Sequence, residues 1–159
     1  MKTIEEGVKS TNVSIAIVIS RFNDLINKNL LLGAIDTLVR IGEVSQEKIL
    51  KIYVPGAYEI PIVSSYIAHS GKYDAIIAIG TIIQGSTHHF KNISYDTTSS
   101  LSKISTKYFI PITLGLLITE NIQQSFERSG SKMGNKGSEA ALAALEMINV
   151  MKKLKKIIK

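Results

Sequence analysis

The chain has no cysteine and no tryptophan, and only three prolines and three histidines in 159 residues. Without cysteine there can be no disulfide, thiolate metal site or cysteine nucleophile, and the composition fits a reducing, cytoplasmic setting. Hydrophobic runs are short. None nears the ~20 residues needed to span a bilayer as a helix, so no membrane partner is expected. Residues 1–10 lack the basic-then-apolar layout of a secretion signal. Arginine is scarce as well: Arg21, Arg40 and Arg128 stand against 16 lysines. Where lysine is the default cation, each arginine invites attention, because its planar fork suits carboxylate or phosphate.

What remains is a rather apolar chain, 45% hydrophobic, with a mean hydropathy of +0.16. Its length suits one domain, residues 1–159, with a sizeable core. The net charge is +6, but residues 152–159 alone carry five lysines. A basic run at a helix end is usually a solvated face that also complements the helix dipole. No aromatics are interleaved with these lysines, so no nucleic-acid partner is expected.

Strand-like and helix-like patterns alternate along the chain. Residues 13–20 form an apolar β-rich run, followed by helical spacing of Leu25, Ile26, Leu30, Leu31, Ile35, Leu38 and Val39, with Gly42 as its stop. A second strand is predicted over 49–54, broken by Pro55-Gly56, then a helix over 57–70. A third strand covers 75–81, a long helix 88–107, a fourth strand 112–118 and a short helix 122–128. A glycine-containing link, 129–135, leads into an amphipathic helix over 136–155. Such alternation with buried strands implies α/β architecture: a four-stranded parallel sheet in a flavodoxin-like three-layer sandwich. Residues 4–8 read as a stray edge strand suited to pairing with another chain.

Polar groups cluster after each strand: Arg21-Phe22-Asn23, then Pro55-Gly56-Ala57-Tyr58-Glu59, then Gly80-Thr81-Ile82-Ile83-Gln84-Gly85-Ser86-Thr87-His88-His89, then Thr119-Glu120. Parallel strands bring these loops to one edge, where open α/β sheets bind ligands. In the third segment Ser86 and Thr87 are placed as caps of the next helix, whose start suits an anion. Phe22 reads equally as a staple on the helix below or as a stacking ring. Glu59 suits a helix start and can also accept from substrate hydroxyls. Of the adjacent His88 and His89, one can face a pocket while the other faces solvent; no third ligand at metal spacing accompanies them. Arg128 reads as a helix-end cation or as a phosphate fork. Gly134-Asn135-Lys136-Gly137 reads as a kink and cap, since it does not follow a strand.

Taken together, Arg21-Phe22-Asn23, Pro55 to Pro61, Gly80 to Phe90, and Glu127-Arg128 through Gly137 into Glu139-Ala140-Ala141 resemble the lumazine synthase family. The resemblance spans essentially the whole chain, in order. It implies a transferase of riboflavin biosynthesis that needs no cofactor or metal. Such an enzyme condenses 5-amino-6-(D-ribitylamino)uracil with 3,4-dihydroxy-2-butanone 4-phosphate. By position, His89 would shuttle protons. Phe22, Ala57, Tyr58, Glu59, Thr81, Ile82, Ile83 and Leu114 would hold the pyrimidine and ribityl chain. Gly85, Ser86, Thr87 and Arg128 would bind the phosphate. It also implies a homo-oligomer, a pentamer or a hollow 60-subunit icosahedral shell, with riboflavin synthase as a partner. Three positions depart from the family pattern: Gln84 where arginine is usual, Lys91 where an acid is usual, and Leu114 where phenylalanine closes the fourth strand. Competing readings are a catalytically impaired shell protein or flavin-binding module of the same fold, and a basic nucleic-acid binder.

Overall fold

A computed structural model describes residues 1–86 and 88–158. Its centre is a parallel sheet of β1 (Ile15–Ser20), β2 (Ile49–Val54), β3 (Ala75–Ile83) and β4 (Ile112–Thr119), in the order β2-β1-β3-β4. All six residues of β1 and the first eight of β3 are buried. That explains their unbroken apolar sequence, because a strand covered on both faces has no solvent side to alternate with. Register is set by Ile15 opposite Ile49 on one side and Ala75 on the other, and by Ile76 opposite Ile112.

Successive side chains feed two separate cores, as the two-residue period of a strand requires. Ile15, Ile17, Ile19, Ile77 and Ile79 pack with α1 (Asp24–Asp36) and α5 (Lys136–Ile158). Ala16, Val18, Ile76 and Ala78 pack with α2 (Ile60–Ser70) and α3 (His89–Tyr108). Each fully buried isoleucine or leucine contributes about 1.5–3 kcal/mol. The result is the expected three-layer α/β/α sandwich, with the carboxyl ends of all four strands along one edge.

The approach of α5 to α1 depends on glycine and asparagine. A Cβ at Gly137 would lie 1.9 Å from the Leu30 carbonyl oxygen. The Asn135 amide oxygen accepts from the Gly137 and Ser138 N–H groups at 2.8 and 3.1 Å and so caps α5. Its amide nitrogen donates to the carbonyls of Asn29 and Ser129. The expected kink-and-cap reading of this segment therefore describes how α5 begins.

Several local expectations can be set beside the structure. The link before α5 is a small antiparallel hairpin, β5 (Ser129–Ser131) and β6 (Gly134–Asn135), after the short α4 (Ile122–Glu127). Gly130 and Gly134 supply its positive φ values of 115° and 75°. The polar middle of α3 stays helical, with the Thr98 hydroxyl donating to the Ser94 carbonyl at 2.8 Å and buried Leu101 anchoring the helix. Residues 4–8 form no strand within this chain. The segment runs beside α5 instead, where the Asn149 amide donates to the Gly7 and Lys9 carbonyls at 2.8 and 2.9 Å.

Because a methyl at Gly137 has no room, Gly137→Ala is expected to destabilise the fold by about 1–3 kcal/mol, read from the urea midpoint. Gly7→Ala, where a Cβ meets nothing within 4 Å, is expected to stay within about 0.5 kcal/mol of the parent.

Candidate active site

Three of the four strand ends converge on a cavity of about 420 Å³. The turn after β1 contributes Ser20, Phe22 and Asn23, and the turn after β2 contributes Gly56, Ala57, Tyr58 and Glu59. Thr81, Ile82, Ile83 and Gly85 come from the end of β3, and His89, Phe90 and Ile93 from the start of α3. The segment after β4 belongs to an adjoining cavity of about 800 Å³, lined among others by Gln84, Lys91, Glu120, Glu127 and Arg128. Phe90 forms part of both walls.

The turn after β1 is fixed by its backbone. Arg21 N–H donates to the Val54 carbonyl at 2.8 Å and Phe22 N–H to the Pro55 carbonyl at 3.2 Å. Asn23 sits in the left-handed region, φ 65°, a conformation asparagine tolerates. Its side chain makes no cap bond to α1; the amide donates to the Thr81 carbonyl at 2.8 Å. The Phe22 ring is 74% exposed on the cavity rim. It does not serve as a buried staple, so the two readings left open by the sequence resolve toward an accessible ring.

Behind this turn lies Asn27, on the first turns of α1 and fully buried. Its amide nitrogen donates to the carbonyls of Ser20 and Phe22, and its oxygen accepts from the Thr81 hydroxyl at 2.7 Å. On the opposite wall, Gly56 N–H donates to Glu59 Oε2 at 2.8 Å. That bond orients the carboxylate and leaves acceptor capacity for a ligand hydroxyl. A Cβ at Gly56 would lie 3.0 Å from the same oxygen, so the bare backbone suits the approach.

His89 is exposed and lines the first cavity, whereas His88, also exposed, lies outside its wall. An imidazole at that mouth is placed to pass a proton to or from a ligand. The expected hydroxyl cap is not formed by Ser86. The helix begins at His89 with His88 in the N-cap position and no side-chain cap bond, because β3 runs on to Ile83 and delays the turn. Thr87 lies outside the described residues.

Of the other predicted site residues, Phe22, Ala57, Tyr58, Glu59, Thr81, Ile82, Ile83, Gly85 and His89 come together in the first cavity. Arg128 does not join them; it caps α4 and faces the second cavity beside Lys91. Leu114 borders neither cavity, being 38% exposed in the first half of β4 rather than at its end. The strand continues to Thr119, five residues beyond. Ser20 and Ile93 are wall residues that sequence reasoning missed, while Asn23 and Phe90 lie in segments it singled out without giving them a role. Ser20 directly precedes the singled-out Arg21-Phe22-Asn23, and Ile93 follows His89 at i+4 on the same helical face.

Charge pairs lie away from the first cavity. The Arg40 guanidinium, 2.8 Å from Asp36, holds that carboxyl below its ordinary value by hydrogen bonding. Among the described residues, no group of three or more His, Asp or Glu is arranged to hold a metal ion. No described helix is long and apolar enough to cross a membrane.

The family model for 6,7-dimethyl-8-ribityllumazine synthase matches residues 12–152. A 6,7-dimethyl-8-ribityllumazine synthase from Buchnera aphidicola subsp. Schizaphis graminum is 74% identical over 99% of both chains. Its counterpart from Buchnera aphidicola subsp. Acyrthosiphon pisum is 73% identical over 99% of both. The enzyme of that name from Yersinia pestis is 51% identical over 98% of this chain and 99% of its own. With the fold, the cavity and the matched length in agreement, the chain belongs to the 6,7-dimethyl-8-ribityllumazine synthase family.

Proposed function

We propose that this protein condenses 5-amino-6-(D-ribitylamino)uracil with 3,4-dihydroxy-2-butanone 4-phosphate to give 6,7-dimethyl-8-ribityllumazine, a step of riboflavin biosynthesis. The observation that carries this reading is one cavity that joins an accessible aromatic ring, an oriented carboxylate and a histidine: Phe22, Glu59 and His89. The uracil ring stacks on Phe22, and its edge meets the backbone of Thr81, Ile82 and Ile83. The ribityl hydroxyls donate to Glu59, beside Ala57 and Tyr58. The amine adds to the ketone and water leaves to form an imine; phosphate is then eliminated, and the second amine closes the ring with loss of water. His89 moves protons in these steps. Holding both reactants in one cavity supplies much of the acceleration, since association and orientation are completed before bonds change.

The phosphate is read at Gly85, Ser86 and Thr87 with Arg128. Support for this comes from the shared Phe90 wall, which puts Arg128 in the neighbouring cavity. Lys91 faces that same cavity, so a cation stands near neutral Gln84.

A homo-oligomer, pentameric or as a 60-subunit shell, follows the same reading. Both edge strands, β2 and β4, are open on one side. Ile62 and Tyr66 on α2, and Leu25 and Leu32 on α1, are exposed, apolar surface suited to contact between copies. Residues 4–8 then add to a neighbouring copy, and Leu114 meets a neighbour's ligand. We place the enzyme in the cytoplasm, with riboflavin synthase as the partner that consumes its product.

His89→Ala is expected to lower kcat by about 10²–10⁴-fold while leaving the sedimentation profile unchanged. Damage confined instead to His88→Ala would reverse the assignment within the pair. Arg128→Ala is expected to raise KM for the butanone phosphate by about 10–100-fold, as loss of a charge-assisted hydrogen bond predicts. An unchanged KM for that substrate would remove Arg128 from the phosphate site.

A further inference from the structure

Asn27 lies behind the front wall of the first cavity and is 0% exposed. It does not line the cavity, yet its three hydrogen-bond partners, Ser20, Phe22 and Thr81, all do. The amide nitrogen donates to the Ser20 carbonyl at 2.7 Å and the Phe22 carbonyl at 2.8 Å, while the amide oxygen accepts from the Thr81 hydroxyl at 2.7 Å. Both amide N–H groups thus have an acceptor, which leaves no donor idle in the core.

We propose that Asn27 is a positioning residue for the condensation: without touching substrate, it fixes the backbone that carries the Phe22 ring relative to the end of β3. The proposal rests on the synthase reading above. The Phe22 ring is largely solvent-exposed, so side-chain packing does not hold it. Its orientation depends on the peptide groups on either side. The N–H is tied to Pro55 and the C=O chiefly to Asn27, with the Ser20 hydroxyl a longer donor to it at 3.4 Å. Of these two anchors, the Asn27 amide is the buried one, where hydrogen bonds gain strength from the low dielectric and cost most to break.

No other side chain of this size does the same work. Aspartate keeps the acceptor for Thr81 but presents a carboxylate to two carbonyl oxygens. Leucine keeps the volume and abandons three polar partners. Because Ser20 ends β1, Phe22 belongs to the turn and Thr81 to β3, the amide spans the three pieces that together form the pyrimidine side of the cavity. Asn23 adds a parallel tie from the same turn to the Thr81 carbonyl at 2.8 Å.

The test is steady-state kinetics of Asn27→Asp and Asn27→Leu with each substrate varied in turn. Expected is a rise of about 10-fold in KM for the ribitylaminouracil, the cost of breaking a buried hydrogen bond. KM for the butanone phosphate should stay within about 2-fold. A merely structural residue would move both constants together, and that outcome overturns the proposal. Amide hydrogen exchange supplies a readout independent of turnover. In Asn27→Asp, faster exchange should be confined to Arg21 and Phe22, and unchanged exchange there also overturns the proposal. If the Asn27 variants fail to fold, Thr81→Val removes one partner bond and should show the same KM split, smaller in size; equal shifts again count against the proposal. Wild-type protein without turnover would sink the synthase reading, with exchange still deciding the positioning role. Wild-type turnover with unaltered Asn27 variants would sink the positioning role alone.

Discussion

The pairing of β1 with β3, two strands covered on both faces, is the constraint on which the rest of this structure depends. Parallel pairing obliges every connection to cross the sheet, so helices occupy both sides and all four strands finish at one edge. At that edge the chain emerges from the core into turns that carry polar groups. The first cavity therefore forms between the turns after β1 and β2 and the extended end of β3. Its chemistry is that of residues which the core cannot hold and the turns can: an exposed phenyl ring, a carboxylate oriented by a backbone N–H, and an imidazole at a helix start.

Rigidity and openness are divided across this edge. The wall toward α1 is pinned by the amides of Asn23 and Asn27, with Thr81 shared between them. The opposite side opens past Phe90 into the larger cavity that holds Lys91 and Arg128. The pinned wall suits a flat, rigid heterocycle, and the open one a small anionic reactant. On the α1 face of the sheet, α5 is seated on α1 by the absence of a side chain at Gly137 and by the Asn135 cap. The same device also ends the hairpin after α4, so the placement of Arg128 and the seating of α5 are coupled: Lys136 N–H donates to the Arg128 carbonyl at 3.0 Å.

Much of this was legible in the sequence, for physical reasons. Unbroken apolar runs at Ile15–Ser20 and Ala75–Ile83 mark doubly covered strands, and loops following such strands must gather at one edge. That logic brought Phe22, Glu59 and the His88-His89 pair to the edge, and the family resemblance selected His89 from the pair. It failed where the answer lay in side-chain geometry. The Ser86 hydroxyl looks like a cap, yet β3 continues to Ile83 and α3 starts only at His89, with His88 in the N-cap position. Arg128 lines the adjoining cavity rather than the first, because it ends α4, the short helix that follows β4. Asn27 carries no sequence signal apart from being a polar residue on the buried stripe of α1, between Ile26 and Leu30. Residues 4–8 form no strand within this chain, and the pairing with another chain expected of them belongs to the proposed oligomer.

The central claim is catalytic, and the most direct test is turnover by the purified wild-type protein. Both proposed substrates are mixed with it, and the fluorescent lumazine is followed against an enzyme-free control, since the condensation proceeds slowly unaided. The account predicts product formed well above the control rate, saturating in each substrate, with inorganic phosphate released in equal amount. Product formation no faster than the control, from protein that is folded and assembled, would contradict it.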